Sequence, residues 1–512
     1  MKQALTTEHP TELAQKERRT LVRVALAGVI PLAAIIVLFT TDVPIGQPHL
    51  IYRYSPWWVL RIWPALVAVL ISVPTACALF AALKPTCRRR VPLAVCAIIG
   101  YIALVVWTLF APPNYVEQHV FNLESPSHDG AFVLESREVS SVNLYVSETF
   151  YKRLALEPQD MRGRRVLSNP PGTTILAVLC RRAVDASPSL KGWLIDVFDL
   201  EAAQDPEKRD DFAADMALAI VFTMIWGCAI IFGYRLCRLW MSPLPSAAVA
   251  LACVFNPSTV DFTPGKDPAQ LVTVLALAWT WMAAYQRKSR QMGCAAGVVV
   301  AFATMIGLIH MWILAIVAGA TLWHSLKKES SLRSWITCCT LPATAGAAVV
   351  ALLAYLTLDW NIALTALMTG LKYGRIQENV ITDPLYWTLV GLPMFLLFIG
   401  PMLWSQLLTM RRDTVDSPAV LGRYVLTCTV VVLTFTYLTA NNNETPRLWM
   451  PFIPLLIVGM ALGRSAFRAR SARSRRVCCV LILLQLFVTV AHWSLMDVRE
   501  SEYRLSTGRM FD

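Results

Sequence analysis

The chain has 512 residues, of which 56% are hydrophobic and 16% charged, and its mean hydropathy is +0.52. A soluble globular chain is nearer a quarter charged, so these values exclude an ordinary soluble domain and point to a polytopic membrane protein. The net charge of +12 does not mark a nucleic-acid partner, because Lys and Arg concentrate in short loops between apolar runs.

In chain order, residues 1–21 form a basic tail, and residues 22–112 hold apolar runs near 22–40, 57–83 and 91–111. Residues 113–211 are a long polar loop. Ten further runs fill 212–496, near 212–234, 243–259, 267–286, 293–309, 310–324, 334–357, 385–408, 418–440, 447–463 and 477–496, before a tail at 497–512. Each is close to the roughly 17–25 residues that a spanning helix needs. Arg18, Arg19 and Arg23 put the N-terminus in the cytoplasm, and Arg88 to Arg90, Arg287 to Arg290 and the dense run from Arg464 to Arg476 return to that side. The expectation is an all-α polytopic membrane protein of about thirteen transmembrane helices, with the 113–211 loop on the non-cytoplasmic face. No cleavable leader is evident at the N-terminus. Most of the 13 cysteines lie inside apolar runs as small hydrophobes, and no CxxC pattern suggests a metal.

Within the loop, Leu134 to Leu154, Gly172 to Val184 and the stretch around Trp193 and Phe198 carry apolar residues at helical spacing. They read as amphipathic helices along the membrane interface. Asp129, in His128-Asp129-Gly130-Ala131-Phe132, begins the first of them, with Glu135 and Glu138 following. It is either an N-terminal carboxylate favoured by the helix dipole or a general base at the membrane surface. Ser168-Asn169-Pro170-Pro171-Gly172 precedes the second helix, as a rigid capped turn or as a receiver of phosphate.

Thr263-Pro264-Gly265-Lys266-Asp267-Pro268 opens a span. Asp267 before Pro268 resembles an N-cap, whereas Lys266 on the expected outer face runs against the charge rule. Asn443-Glu444-Thr445-Pro446-Arg447 precedes a late span. Arg447 either snorkels to the headgroups or meets a lipid phosphate, with Lys372 and Arg375 of the preceding outer loop as companions. His310, alone in an apolar run, reads as an interior residue. The chain contains no HExxH, P-loop, dinucleotide fingerprint or nucleophile elbow.

Taken in order, these elements resemble the GT-C glycosyltransferases, especially the protein O-mannosyltransferase and aminoarabinose-transferase type. His128 to Phe132 matches the acidic position of that family's first large outer loop. Asn169-Pro170-Pro171-Gly172 stands for its His-Pro-Pro-Gly-like turn, Gly265 to Pro268 approximates its later acidic motif, and Arg447-Leu448-Trp449-Met450-Pro451 its closing Arg-aromatic-Pro pattern. Two departures are that the loop follows three spans rather than one, and that Asn169 replaces the usual His.

The resemblance implies an inverting transfer of sugar from a polyprenyl-phosphate donor to a lipid, protein or glycan acceptor. Asp129 would be the catalytic base. His128, Glu135, Asn169, Lys266, Asp267, Lys372, Arg375, Glu444 and Arg447 would bind substrate. No cofactor is required, although two carboxylates could hold a divalent cation. Membrane lipids are the expected surroundings, in a bacterial plasma membrane. The alternative is a transporter or lipid flippase, whose polar residues would sit on broken helices at mid-membrane.

Overall fold

A computed structural model describes residues 10–41, 45–46, 50–54, 123, 128–156, 161–198, 206–327, 332–378, 384–408, 417–439, 448–463 and 472–500. The expected spans at 57–83 and 91–111 lie outside the described residues. Five helices are long and apolar enough to cross a membrane, at Leu21–Leu38, Arg209–Cys237, Ile309–Leu326, Leu332–Leu358 and Pro418–Thr436. Pro243–Val254, Arg290–Ile306 and Met450–Leu462 are shorter apolar helices. Among the described residues the departure from an all-helical fold is one small antiparallel sheet, β1 (Ile45–Gly46), β2 (Leu50–Tyr54) and β3 (Met496–Glu500). It follows the first helix, α1 (Pro10–Thr41), and pairs Tyr52 with Val498.

The polar loop folds as a stack of short helices. α2 (Gly130–Arg137), α3 (Phe150–Ala155), α4 (Met161–Leu167), α5 (Gly172–Asp185) and α6 (Pro188–Val197) follow in order. The continuous helix expected over Leu134 to Leu154 is interrupted. Ser140 and Ser141 divert the backbone, and the Ser141 hydroxyl accepts from Leu144 N–H at 3.4 Å to start a new turn. Serine competes for backbone groups and therefore favours such starts over helix interiors. Phe132, Tyr145, Val146 and Phe150 bury one face of this stack against Ala301, Val350 and Trp360.

The stack rests on α7 (Pro206–Cys237), which packs on α8 (Pro243–Val254). The run expected at 243–259 does not continue as one helix. Asn256-Pro257 breaks it, since a residue before proline avoids the helical region. A reciprocal cap follows, with Thr259 N–H donating to Asn256 Oδ1 and Asn256 N–H donating to Thr259 Oγ1, both at 3.2 Å. The chain re-forms as α9 (Pro257–Asp261), crosses Gly265, makes the turn α10 (Lys266–Ala269) and enters α11 (Leu271–Arg287). Gly307 then separates α12 (Arg290–Ile306) from α13 (Ile309–Leu326).

α12 packs closely on α14 (Leu341–Leu358) through small residues. A Cβ on Gly297 would fall 1.8 Å from the Ala343 carbonyl oxygen, so this crossing admits only glycine there. The remaining helices are α15 (Ile362–Glu378), α16 (Pro384–Ile399), α17 (Pro401–Leu408), α18 (Ser417–Thr439), α19 (Ile453–Leu462) and α20 (Ala472–Leu495). On α20, buried Gln485 donates to the Phe255 carbonyl at 3.2 Å and accepts from Met402 N–H at 3.1 Å. One side chain thus satisfies backbone groups freed at two helix breaks.

Candidate active site

α2, α4, α5 and the α9–α10 connection meet at the loop end of the helix bundle. Asp129 lies at the N-cap position of α2, yet its side chain does not cap its own helix. It turns instead to the start of α10, where Oδ2 accepts from the Lys266 backbone N–H. Gly265 makes this approach possible. A Cβ there would stand 3.0 Å from Asp129 Oδ2 and 2.6 Å from the Phe262 carbonyl oxygen. An orphan N–H at a helix start is a good partner for a carboxylate, which explains why the two motifs, distant in sequence, come together.

The other Asp129 oxygen, Oδ1, faces the Arg165 guanidinium at 3.4 Å, and the same guanidinium nitrogen faces Asp267 Oδ2 at 3.7 Å. Arg165, on α4, is the residue the sequence reading passed over. Its signal was the run Arg162-Gly163-Arg164-Arg165, a cluster of cations in a loop expected outside, where the charge rule leaves few. Lys266 Nζ donates to Asn169 Oδ1 at 2.6 Å and lies 4.0 Å from Asp267 Oδ1. Gln270 donates to Asp267 Oδ1 at 3.3 Å. Both cations rest on one ring, with Lys266 Nζ 4.9 Å and the Arg165 guanidinium carbon 5.9 Å from the centre of Phe132.

Asp129 and Lys266 are buried, and burial shapes the electrostatics of the group. Desolvation pulls the Lys266 ammonium from 10.5 down to about 8, opposed by the Asp267 charge. Desolvation raises the Asp267 carboxyl above its ordinary value, against the pull of Lys266 and Arg165. His128, also buried, is held down at about 3 by desolvation and by Arg165, which makes it a neutral imidazole beside the charged cluster.

The remaining expected residues divide. Asn169 joins the cluster through Lys266. Glu135 is buried on the far side of α2, where Arg153 pairs with it and also with Glu138 at 2.7 Å. Burial, followed by the Glu135 charge, pushes the Tyr145 hydroxyl well above its ordinary value in that second cluster. Lys372 is buried and donates to the Leu156 carbonyl at 2.8 Å, closing the end of α3. Arg375 lies on α15. Glu444 and Arg447 lie outside the described residues, but the 3-10 turn Met450–Phe452 that follows them packs against α10.

Further ion pairs fasten the loop helices to the first turns of α7. Arg137 reaches Asp211 at 3.4 Å and Asp215 at 3.2 Å, and Arg181 reaches Asp211 at 2.6 Å. Tyr151 on α3 shares a hydrogen bond with Thr365 on α15 at 2.7 Å. The site is therefore held from several sides by contacts that are not part of it. Among the described residues no group of three or more His, Cys, Asp or Glu side chains is arranged to hold a metal ion. The arrangement can hold a carboxylate in fixed orientation beside two cations, one a forked guanidinium and one an ammonium near its titration point. The chain matches no protein-family model and no curated protein.

Proposed function

We propose that the protein is a multi-pass membrane glycosyltransferase of about thirteen spans, acting at the non-cytoplasmic face of a bacterial plasma membrane. It moves a sugar from a polyprenyl-phosphate donor to an acceptor hydroxyl. One observation carries the reading: two acidic residues, Asp129 and Asp267, and two cations, Arg165 and Lys266, from three separate segments converge in one largely buried cluster. Base and leaving-group stabiliser are the two needs of an inverting displacement, and that cluster holds a candidate for each.

Asp129 Oδ1 takes the proton of the acceptor hydroxyl as its oxygen attacks the anomeric carbon. The bond from that carbon to the phosphate oxygen breaks, and the lipid phosphate departs with both electrons. Lys266, with Arg447 as its companion by resemblance, neutralises that charge, and a preorganised cation in a dry site acts strongly there. Asn169 fixes the Lys266 ammonium, and Asp267 stands beside both cations. Neutral His128 can offer a hydrogen bond to the sugar without adding charge.

The test is transfer from radiolabelled polyprenyl-phosphate sugars in purified membranes, comparing wild type with Asp129→Asn. Label reaches an acceptor in wild type and is lost in the variant, while membrane insertion is unchanged. Transfer retained in Asp129→Asn removes the assignment of the base. Solute flux through proteoliposomes without any sugar transfer would instead favour a transporter.

A further inference from the structure

We propose that Arg165 is a phosphate-binding residue held in reserve by carboxylates, so that an arriving phosphate draws its guanidinium off Asp129 and uncovers the oxygen that takes the acceptor proton. The inference rests on Asp129 being the base. It makes donor binding the event that arms the site.

The geometry of Asp129 leads to it. Oδ2 is engaged by the Lys266 backbone N–H, and both residues are buried. Oδ1 makes no such backbone contact and is the oxygen better placed for chemistry, and Arg165 stands against it. A guanidinium beside that oxygen takes one of its lone pairs and its charge opposes an arriving proton, and both effects lift when the guanidinium moves.

Arg165 is suited to moving. Its contacts with Asp129 and Asp267, at 3.4 and 3.7 Å, are looser than the 2.6 Å between Arg181 and Asp211. Charge-assisted pairs normally close to roughly 2.7–2.9 Å. Its Nε is buried with no hydrogen-bond partner. A guanidinium offers five donors in a planar fork that fits phosphate oxygens at two points, so an oxyanion can satisfy donors that the carboxylates leave idle. Lys266 Nζ lies over the same Phe132 ring, so an anion drawn to Arg165 meets a second cation. The carboxylates and the phosphate thus compete for one side chain, and competition of this kind is measurable as a coupling free energy.

The test is a double-mutant cycle on phosphate binding, with the full chain in nanodiscs and tryptophan fluorescence as readout. The probes are undecaprenyl phosphate and inorganic phosphate. Asp129→Asn should tighten binding about fivefold or more, because the phosphate no longer displaces a carboxylate from Arg165. Arg165→Gln should weaken binding by about tenfold or more. In the Arg165→Gln background, Asp129→Asn should change affinity by less than about twofold. Equal tightening in both backgrounds would mean simple charge repulsion and would overturn the latch, as would failure of the wild type to bind either probe. If Arg165→Gln does not fold, Arg165→Lys replaces it in the cycle: it keeps the charge without the fork, and tightening as large as in wild type again overturns the proposal. Coupling seen with both probes assigns recognition to phosphate itself, and coupling with undecaprenyl phosphate alone assigns it to the lipid-borne headgroup. Because the readout is binding, absence of sugar transfer would remove the glycosyltransferase reading and with it the base, but would leave the competition of phosphate and Asp129 for Arg165 standing.

Discussion

Two ion clusters share the helix α2, and they are built differently. At its start, Asp129, Arg165, Asp267 and Lys266 approach at 3.4 to 4.0 Å, and the Arg165 Nε is idle. Around its far turn, Arg153 closes on Glu135 and, at 2.7 Å, on Glu138. Tight pairing of a buried charge is what structure demands, because an uncompensated charge away from water is expensive. Loose pairing of largely buried charges leaves interaction capacity for something else. The contrast separates the part of the loop that fastens from the part that works.

The contrast can be broken most sharply at the fastening end. Arg153→Met leaves Glu135, 1% exposed, without its cation. That should lower stability by about 3–5 kcal/mol, read by denaturation in detergent. A loss no larger than that of a surface variant would erase the distinction.

A smaller effect is expected at Lys266, read through pH. Its value of about 8 lies below the ordinary 10.5, so in the window between them the unfolded chain keeps a proton that the folded one has released. Stability therefore gains as pH rises through that window. Under the proposed mechanism activity runs the other way, because the neutral amine would no longer offset the departing phosphate. kcat/KM should fall by about tenfold per pH unit above about 8, and Lys266→Arg should move that limb beyond roughly pH 10. A limb that stays in place in the variant would detach Lys266 from the reaction.

The smallest expected effect is on folding at the working end. Asp267→Asn should change stability by less than about 1 kcal/mol, since it loosens contacts that are already long and partly solvated. Activity in the same preparation should drop well beyond that. A stability loss like that of Arg153→Met would show the two clusters to be alike.

Much of the site was legible in the sequence as residues that do not belong where they fall. Asp129, Asn169, Lys266 and Asp267 were each polar at the edge of an apolar helix, and the structure brings all four together. Their partners were less visible. Arg165 meets Asp129 across 36 residues, a pairing that no helical or strand period encodes. Asp215 lies inside α7, at the edge of the apolar run that begins near residue 212, and only its burial beside Arg137 distinguishes it. Glu135 was grouped with Asp129 because it follows on the same helix, but the two leave opposite faces. The fold read similarly. Helix lengths follow hydropathy, whereas the interruption at Asn256-Pro257 was a local signal overridden in the reading by the apolar run around it.

That interruption sets a depth. The helix α8 has 12 residues, which at 1.5 Å each rise about 18 Å, against a hydrocarbon core of about 30 Å. In a bilayer, a helix rising from one boundary stops roughly 12 Å short of the other. Irregular backbone at such a level survives only when protein covers it, and Asn256, Ser258, Thr259 and Thr263 are all buried. The helix α11, with 17 residues, rises about 26 Å, so in a bilayer the turn that carries Lys266 at its head stands near the far boundary of the core. The segment from Asn256 to Gly265 therefore climbs the distance that α8 leaves, and it delivers Lys266 to the level of the headgroups.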